Sequence, residues 1–346
     1  MGRTTANSPT EQAAITLLQD LQQQFADGLA QVAGELQQPA EFIPLEWLRD
    51  EGRHGGGRRL VAPTDSIFDR GSVNFSHVHY SDLAEKPLSS ATALSTIIHP
   101  RHPLAPSVHI HISWTQMKTG EGYWRMMADL NPAIPVAEYQ QDFDAILAKV
   151  AEEQYTEGKT QGEKYFYIPA LERHRGVSHF YLEGYFTDKT DVDRQLAQRF
   201  GDAVTRGYTD ILRRSLADAP EPTATQRQTQ LDYHTVYFFQ VLTLDRGTTS
   251  GLLVHNQNDV GTLGSLPSHV NKPLLASWQQ KVPSPQDELV ARLVAALPDE
   301  DVCPVGEETK AQLAQVVRSH YQKHPEALKL QARGNILPPT VANHGR

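Results

Sequence analysis

Along residues 10–36 the apolar positions Leu17, Leu18, Leu21, Phe25, Leu29 and Val32 recur at spacings of three and four. That spacing predicts one long amphipathic helix with Thr10 as its N-cap. The period then changes. Ser72–His79, Ala93–His99, Val108–Thr115, Tyr123–Asp129, His179–Tyr185 and His234–Leu244 are rich in β-branched and aromatic residues and read as strands. Asp245-Arg246-Gly247-Thr248 leads into another apolar run, Gly251–His255, so Tyr233–His255 is expected as a β-hairpin. Helical spacing returns in Tyr139–Glu153 and Val192–Ala217, and again in Asp287–Leu297 and Glu307–Tyr321 on either side of Pro298–Gly306. Strands with helices before, between and after them predict an α+β fold around one large antiparallel sheet. We expect an α+β domain over residues 1–280 and a C-terminal helical extension over 281–346 with a frayed, polar end.

Composition narrows the function classes. The chain has 346 residues and a net charge of -9, which argues against a nucleic-acid binder, because such proteins neutralise phosphates with lysine and arginine. No stretch approaches the roughly 18 apolar residues of a membrane helix. The start, Met1-Gly2-Arg3-Thr4-Thr5-Ala6, lacks the apolar core of a signal peptide, so the expectation is a soluble cytoplasmic protein. The single cysteine, Cys303, excludes an internal disulfide framework and any zinc or iron–sulfur site built on cysteines. Metal chemistry would have to use histidines and carboxylates. Gly55-Gly56-Gly57-Arg58-Arg59 lacks the Gly-Lys-Ser/Thr of a nucleotide-binding loop and reads either as a flexible hairpin loop or as an anion-binding one.

The chain holds 15 histidines, several of them closely paired. His109-Ile110-His111 lies on a predicted strand, so both rings share one face with Cα atoms about 7 Å apart. His77-Val78-His79 repeats the pattern, and His99 precedes Pro100-Arg101-His102-Pro103. Imidazoles from adjacent strands, with a carboxylate such as Asp129 or Glu183, offer a site for iron, zinc or copper. The same histidines can equally line a polar pocket and hydrogen-bond a substrate. Asp129-Leu130-Asn131-Pro132 ends a strand, where a carboxylate is held rigidly at the edge of a sheet. Gly176-Val177-Ser178-His179 lacks the spacing of a nucleophile elbow, which argues against a serine hydrolase.

The block Ser95-Thr96-Ile97-Ile98-His99-Pro100-Arg101-His102-Pro103, followed by Pro106 and His109, resembles the signature of the oxygen-dependent coproporphyrinogen III oxidase family. Further blocks fall in the same order. They are Trp47-Leu48-Arg49-Asp50-Glu51 with Gly55-Gly56-Gly57-Arg58, Gly71-Ser72-Val73-Asn74-Phe75-Ser76, Asp129-Leu130-Asn131-Pro132, Tyr165-Phe166-Tyr167 with Arg175-Gly176-Val177, and Asp245-Arg246-Gly247-Thr248 with Ser265-Leu266-Pro267. The resemblance spans about residues 10–280. It implies a flat antiparallel sheet between helices, a homodimer, and oxidative decarboxylation of two propionate side chains to vinyl groups with O2 as co-substrate. Metal dependence is reported for bacterial members and is not general in the family; the candidate cofactor here is a divalent metal, whether iron, manganese, copper or zinc. By the resemblance Ser95 contacts substrate, His99 and His109 act as ligands or proton carriers, and Asp129 engages pyrrole nitrogens.

The departures from that pattern lie in the substrate clamps. Where the family has Asn-x-Arg after His109, this chain has His111-Ile112-Ser113, and its late Gly-Gly-Arg turn is replaced by Asn256-Gln257-Asn258. The family's His-x-His and Lys-His-Arg correspond to Asp142-Phe143-Asp144 and Pro169-Ala170-Leu171, while new histidines stand at His111 and His179. Catalysis is therefore expected of His109 and Asp129. Substrate binding is expected of Ser95, His111, Ser113, Asn258, Arg101 and Arg175, and a metal site of His99, His109, His111 and His179. The substrate expected is coproporphyrinogen III or, with the arginine clamps lost, another carboxylate.

Overall fold

The computed structural model describes residues 2–255, 257–335 and 340–344, with the side chain of Ala342 left aside; Asn256 and residues 336–339 and 345–346 lie outside it. In chain order the elements are α1 (Pro9–Glu35), β1 (Ile43–Leu48), β2 (Gly55–Val61), β3 (Phe68–His79), β4 (Leu88–Pro100), β5 (Ser107–Met117) and β6 (Gly122–Asn131). Then come α2 (Ala137–Ala151), α3 (Tyr155–Phe166), the two-residue strands β7 (Tyr167–Ile168) and β8 (Arg173–His174), and β9 (Ser178–Tyr185). The rest is α4 (Thr190–Ala217), α5 (Ala224–Thr243), α6 (Arg246–Val254), α7 (Asp259–Thr262), β10 (His269–Asn271), α8 (Lys272–Ser277), α9 (Gln286–Ala295), β11 (Val302–Pro304), α10 (Glu307–Lys323) and α11 (Thr340–His344).

Seven strands form one antiparallel sheet in the order β1-β2-β3-β4-β5-β6-β9, a meander interrupted only by α2, α3 and the small β7–β8 ladder. Alternation along each strand separates the two faces. One face presents Val73, Phe75, Leu94, Ile98, Val108, Ile110, Ile112, Leu130 and Phe180 to α1 and α4, and their side chains make the larger hydrophobic core. The other face is polar and is covered by the C-terminal helices. Those helices have their own core, in which Val236, Phe238 and Leu242 of α5 pack with Leu289, Leu293, Leu313 and Val317. The helices after residue 280 thus share one layer with α5 and α6.

Several local expectations are corrected. The N-cap of α1 is Ser8, not Thr10; it forms a capping box with Glu11, whose carboxylate is also held by Ser89 and Ser90. Tyr233–His255 is not a hairpin but the end of α5, through Thr243, followed by α6, Arg246–Val254. His234–Leu244 is apolar without a clear period because residues 233–243 of α5 are buried on every side, and a helix buried all round loses its amphipathic signature. Asp245 does not open a hairpin turn but caps α6, accepting from the Thr248 amide at 2.8 Å. The polar, glycine-bearing α3 escaped the apolar pattern. Its Gly158 and Gly162 lie against β9, where a Cβ would come within 2.2 Å of Phe180 Cε2 and 2.9 Å of the His179 backbone. The end of the chain is not frayed at α11, where Asn343 and His344 are buried.

The glycine run is neither a loop nor an anion cradle; it is the start of β2, squeezed between β1 and β3. Gly55 has φ +89°, and a Cβ there would stand 2.1 Å from the His77 carbonyl oxygen. Gly55→Ala is expected to lower stability by about 1–3 kcal/mol from backbone strain alone. An unchanged urea midpoint would show that the β2–β3 contact relaxes freely.

Candidate active site

The polar face of the sheet is organised in rows that cross the strands. Antiparallel register places Ile97, His109, Asp129 and His179 side by side on β4, β5, β6 and β9. The next row is Ser95, His111, Met127 and Tyr181, and the third pairs Ser113 with Arg125. A cavity of about 270 Å³ lies over these rows beneath the C-terminal helices. Its lining includes Ser95, His109, His111, Ser113 and Arg125 from the sheet, and Tyr237, Asp245 and Asn258 from the helical layer.

His109 is the hinge between cavity and interior. Its Nδ1 lies 3.0 Å from Asp129 Oδ1, and Arg175 Nη2 donates to Asp129 Oδ2 at 2.8 Å. Asn131 Nδ2 also donates to Oδ2, at 2.5 Å, and Tyr233 in turn donates to Asn131 Oδ1 at 2.9 Å. Burial by itself would raise the Asp129 carboxyl, but the Arg175 charge and the His109 and Asn131 hydrogen bonds outweigh it and hold the group at about 2. The carboxylate is therefore ionised, and we assign the Nδ1 proton of His109 as donated to it, with Arg175 Nη2 also 3.1 Å from Nδ1. That tautomer leaves the lone pair on Nε2, which bonds no described residue.

Arg175 is fully buried, as is Asp129. Its guanidinium lies between the rings of Phe166 and Tyr237, 4.6 and 4.8 Å from their centroids, and donates to Gln240 Oε1 at 2.6 Å as well as to Asp129. A guanidinium engaged in this way is not available to clamp a substrate carboxylate, contrary to the expectation for Arg175. Asp129 likewise lies behind His109 and does not line the cavity. Arg101 is also placed elsewhere: its Nε donates to the Ser66 carbonyl at 3.0 Å and a second nitrogen to the Thr64 carbonyl.

The four histidines of the expected metal site are not brought together. His99 is buried between His234 and Tyr237, its Nδ1 on Ser107 Oγ at 2.9 Å and its Nε2 on the Ser265 carbonyl at 3.1 Å. Burial and the neighbouring His234 push it down to about 3, so it is neutral. His179 has both nitrogens engaged, on Glu163 Oε1 at 3.1 Å and the Arg175 carbonyl at 2.6 Å. Only His109 and His111 face the cavity. His111 Nε2 lies 3.1 Å from Ser113 Oγ, and burial, with Arg125 and His109, drives the ring well below its ordinary value. Among the described residues no group of three or more His, Cys, Asp or Glu is arranged to hold a metal ion.

The guanidinium that does reach the cavity is Arg125, which the sequence reading missed. Its Nε and Nη2 form a bidentate pair with Glu183 at 2.5 and 2.9 Å, and Tyr181 donates to the same carboxylate. Nη1 has no hydrogen-bond partner among the described residues, so one edge of the fork stays open. The available signal was parity: Arg125 stands four residues before Asp129 on one strand, hence on the same face. Glu183 is Arg125's counter-ion rather than a metal ligand. Tyr165 and Tyr181 line the cavity as phenols raised by burial, so both remain protonated. The far end is closed by Thr340, Asn343 and His344 of α11, with Tyr80 Oη and His344 Nδ1 3.3 Å apart.

Among the described residues no helix is long and apolar enough to cross a membrane. The coproporphyrinogen III oxidase family model matches residues 13–297, which takes in the whole sheet, helices α5 to α9 of its cover and the His109–Asp129–Arg175 group. Match, strand order and site together mean that this chain belongs to the coproporphyrinogen III oxidase family.

Proposed function

We propose that the chain catalyses the O2-dependent oxidative decarboxylation of the propionate side chains of coproporphyrinogen III to vinyl groups. The observation that carries this reading is the buried His109–Asp129–Arg175 group, which opens onto the same cavity as the open guanidinium edge of Arg125. Each turnover balances as propionic acid side chain plus O2 giving vinyl group, CO2 and H2O2. Two electrons and two hydrogens leave the substrate for oxygen, and the carboxyl carbon leaves as CO2. An electron-rich pyrrole ring supplies the electrons, so the protein has to place the side chain and handle protons.

In this reading Arg125 Nη1 holds a propionate carboxylate, and Ser95, Ser113 and Asn258 offer further hydrogen bonds around it. His109 Nε2 takes the proton released at the side chain. Asp129 stabilises the imidazolium so formed and keeps the ring in the tautomer with Nε2 free, so it acts as a positioning residue. The cavity's apolar lining of Ile97 from the sheet and Tyr237 and Val241 from its cover thins out water, which strengthens each of these interactions.

A second reading has one observation in its favour. With α11 in place the cavity measures about 270 Å³, at the low end of ligand pockets generally, which suits a smaller carboxylate better than a whole tetrapyrrole. Mass spectrometry of aerobic incubations with coproporphyrinogen III, using the full chain and a chain ending at Asn335, separates the two. Stepwise loss of CO2 and two hydrogens, faster in the shortened chain, supports the porphyrinogen reading with α11 as a cover. Unchanged substrate with both folded proteins would overturn it in favour of the smaller carboxylate.

A further inference from the structure

A second cavity, of about 160 Å³, shares Ser72 with the first and is lined by Arg59 of β2, Arg70 of β3, and Gly306, Glu307 and Lys310 at the start of α10. The three cations share the cavity with one carboxylate, that of Glu307, which is exposed and forms no ion pair with any of them among the described residues. Lys310 is 5% exposed, and its ammonium has no hydrogen-bond or ion-pair partner among the described residues. Arg59 and Arg70 each donate one bond, to the Val260 carbonyl at 3.4 Å and the Val305 carbonyl at 3.2 Å. The Nε of each is buried and unpartnered. The 17-residue α10 begins at Gly306 with no side chain to cap it.

A buried ammonium beside two guanidinium groups is unfavourable unless it loses its proton or gains an anion. Burial, followed by the charges of Arg70 and Arg59, pushes Lys310 down to about 7 against the smaller opposing charge of Glu307. The natural complement is a compact oxyanion with several acceptor oxygens. Guanidinium forks and an ammonium approaching from different elements, at an uncapped helix start, match a tetrahedral phosphate better than a planar carboxylate. We propose that this cavity binds a phosphate group, either the free anion or the terminus of a phosphomonoester. Lys310 lies beyond residue 297, where the family match ends, so the site is completed by a helix outside the matched region.

The test is isothermal titration calorimetry on the full chain at constant ionic strength, with inorganic phosphate and phenyl phosphate as probes. One phosphate is expected to bind per chain, with affinity about tenfold or more weaker in Lys310→Met and in Arg70→Gln. Phosphate should also raise the melting temperature of the wild type, whereas Lys310→Met should melt no lower than the wild type without phosphate and gain less from it. Phenyl phosphate binding as tightly as phosphate assigns the site to a monoester terminus, and phosphate alone assigns it to the free anion. No phosphate binding by the wild type, or equal binding by both folded variants, overturns the proposal.

Discussion

Replacing Asp129 by Ala is expected to cost about 3–5 kcal/mol of folding stability as well as turnover, because it strands the Arg175 guanidinium in a fully buried position. The guanidinium keeps Gln240 and its two aromatic faces, but it loses the only carboxylate it bonds among the described residues. Urea unfolding of Asp129→Ala beside Asp129→Ala/Arg175→Met measures this. The double variant should recover much of the loss, and a double variant no more stable than the single one would show that the pair is not what the single change disrupts. The same carboxylate gives a pH signature. Its folded value of about 2 lies below the ordinary 3.8, so its contribution is fully present above 3.8 and is lost as pH falls toward 2. That contribution is about 2 kcal/mol, and acid unfolding of the Ala variant should lack it.

Replacing His109 by Ala is expected to lower kcat by about 10²–10⁴-fold while leaving KM within about threefold, because the ring moves a proton and Arg125 holds the substrate. Asp129 retains Arg175 and Asn131 as partners in this variant, so the fold should survive and circular dichroism should confirm it. The contrasting variant is Arg125→Lys, which keeps the charge beside Glu183 but removes the open fork, and it should raise KM more than it lowers kcat. If His109→Ala kept wild-type kcat, the proton would have to travel by another group and Asp129 would lose its positioning role. The two variants together distinguish proton handling from carboxylate binding.

Five strands of the sheet, β3, β4, β5, β6 and β9, were legible because each alternates with period two under a single buried face, whereas β1 was not named and the glycines opening β2 read as a loop. Val108, Ile110 and Ile112 alternate with His109, His111 and Ser113 in the sequence as they do across the sheet. Helices α2 and α4 were legible for the same reason at period 3.6. The helix α5 was not, because its surroundings are apolar on every side, and α3 was not, because it docks on β9 through glycines rather than a hydrophobic stripe. In the site, His109, His111, Ser95, Ser113 and Asn258 do reach the cavity. Arg101, Arg175, His99 and His179 do not, because hydrogen bonds from loops and neighbouring elements engage them, and no spacing along the chain encodes those partners.

What the sequence determined by itself is what depends on neighbours in the chain: the period of each strand, the shared face of His109 and His111, and the ordered blocks that mark the family. What only the tertiary structure decided is which polar group meets which. Whether an arginine on the polar face is open to a ligand or spent on a buried carboxylate turns on residues 46 to 65 positions away, such as Asp129 and Gln240 for Arg175. That choice follows from desolvation. A buried charge must find its partner inside the fold, and a charge whose partner leaves one edge free, as Glu183 leaves Arg125, is the one that can meet a substrate.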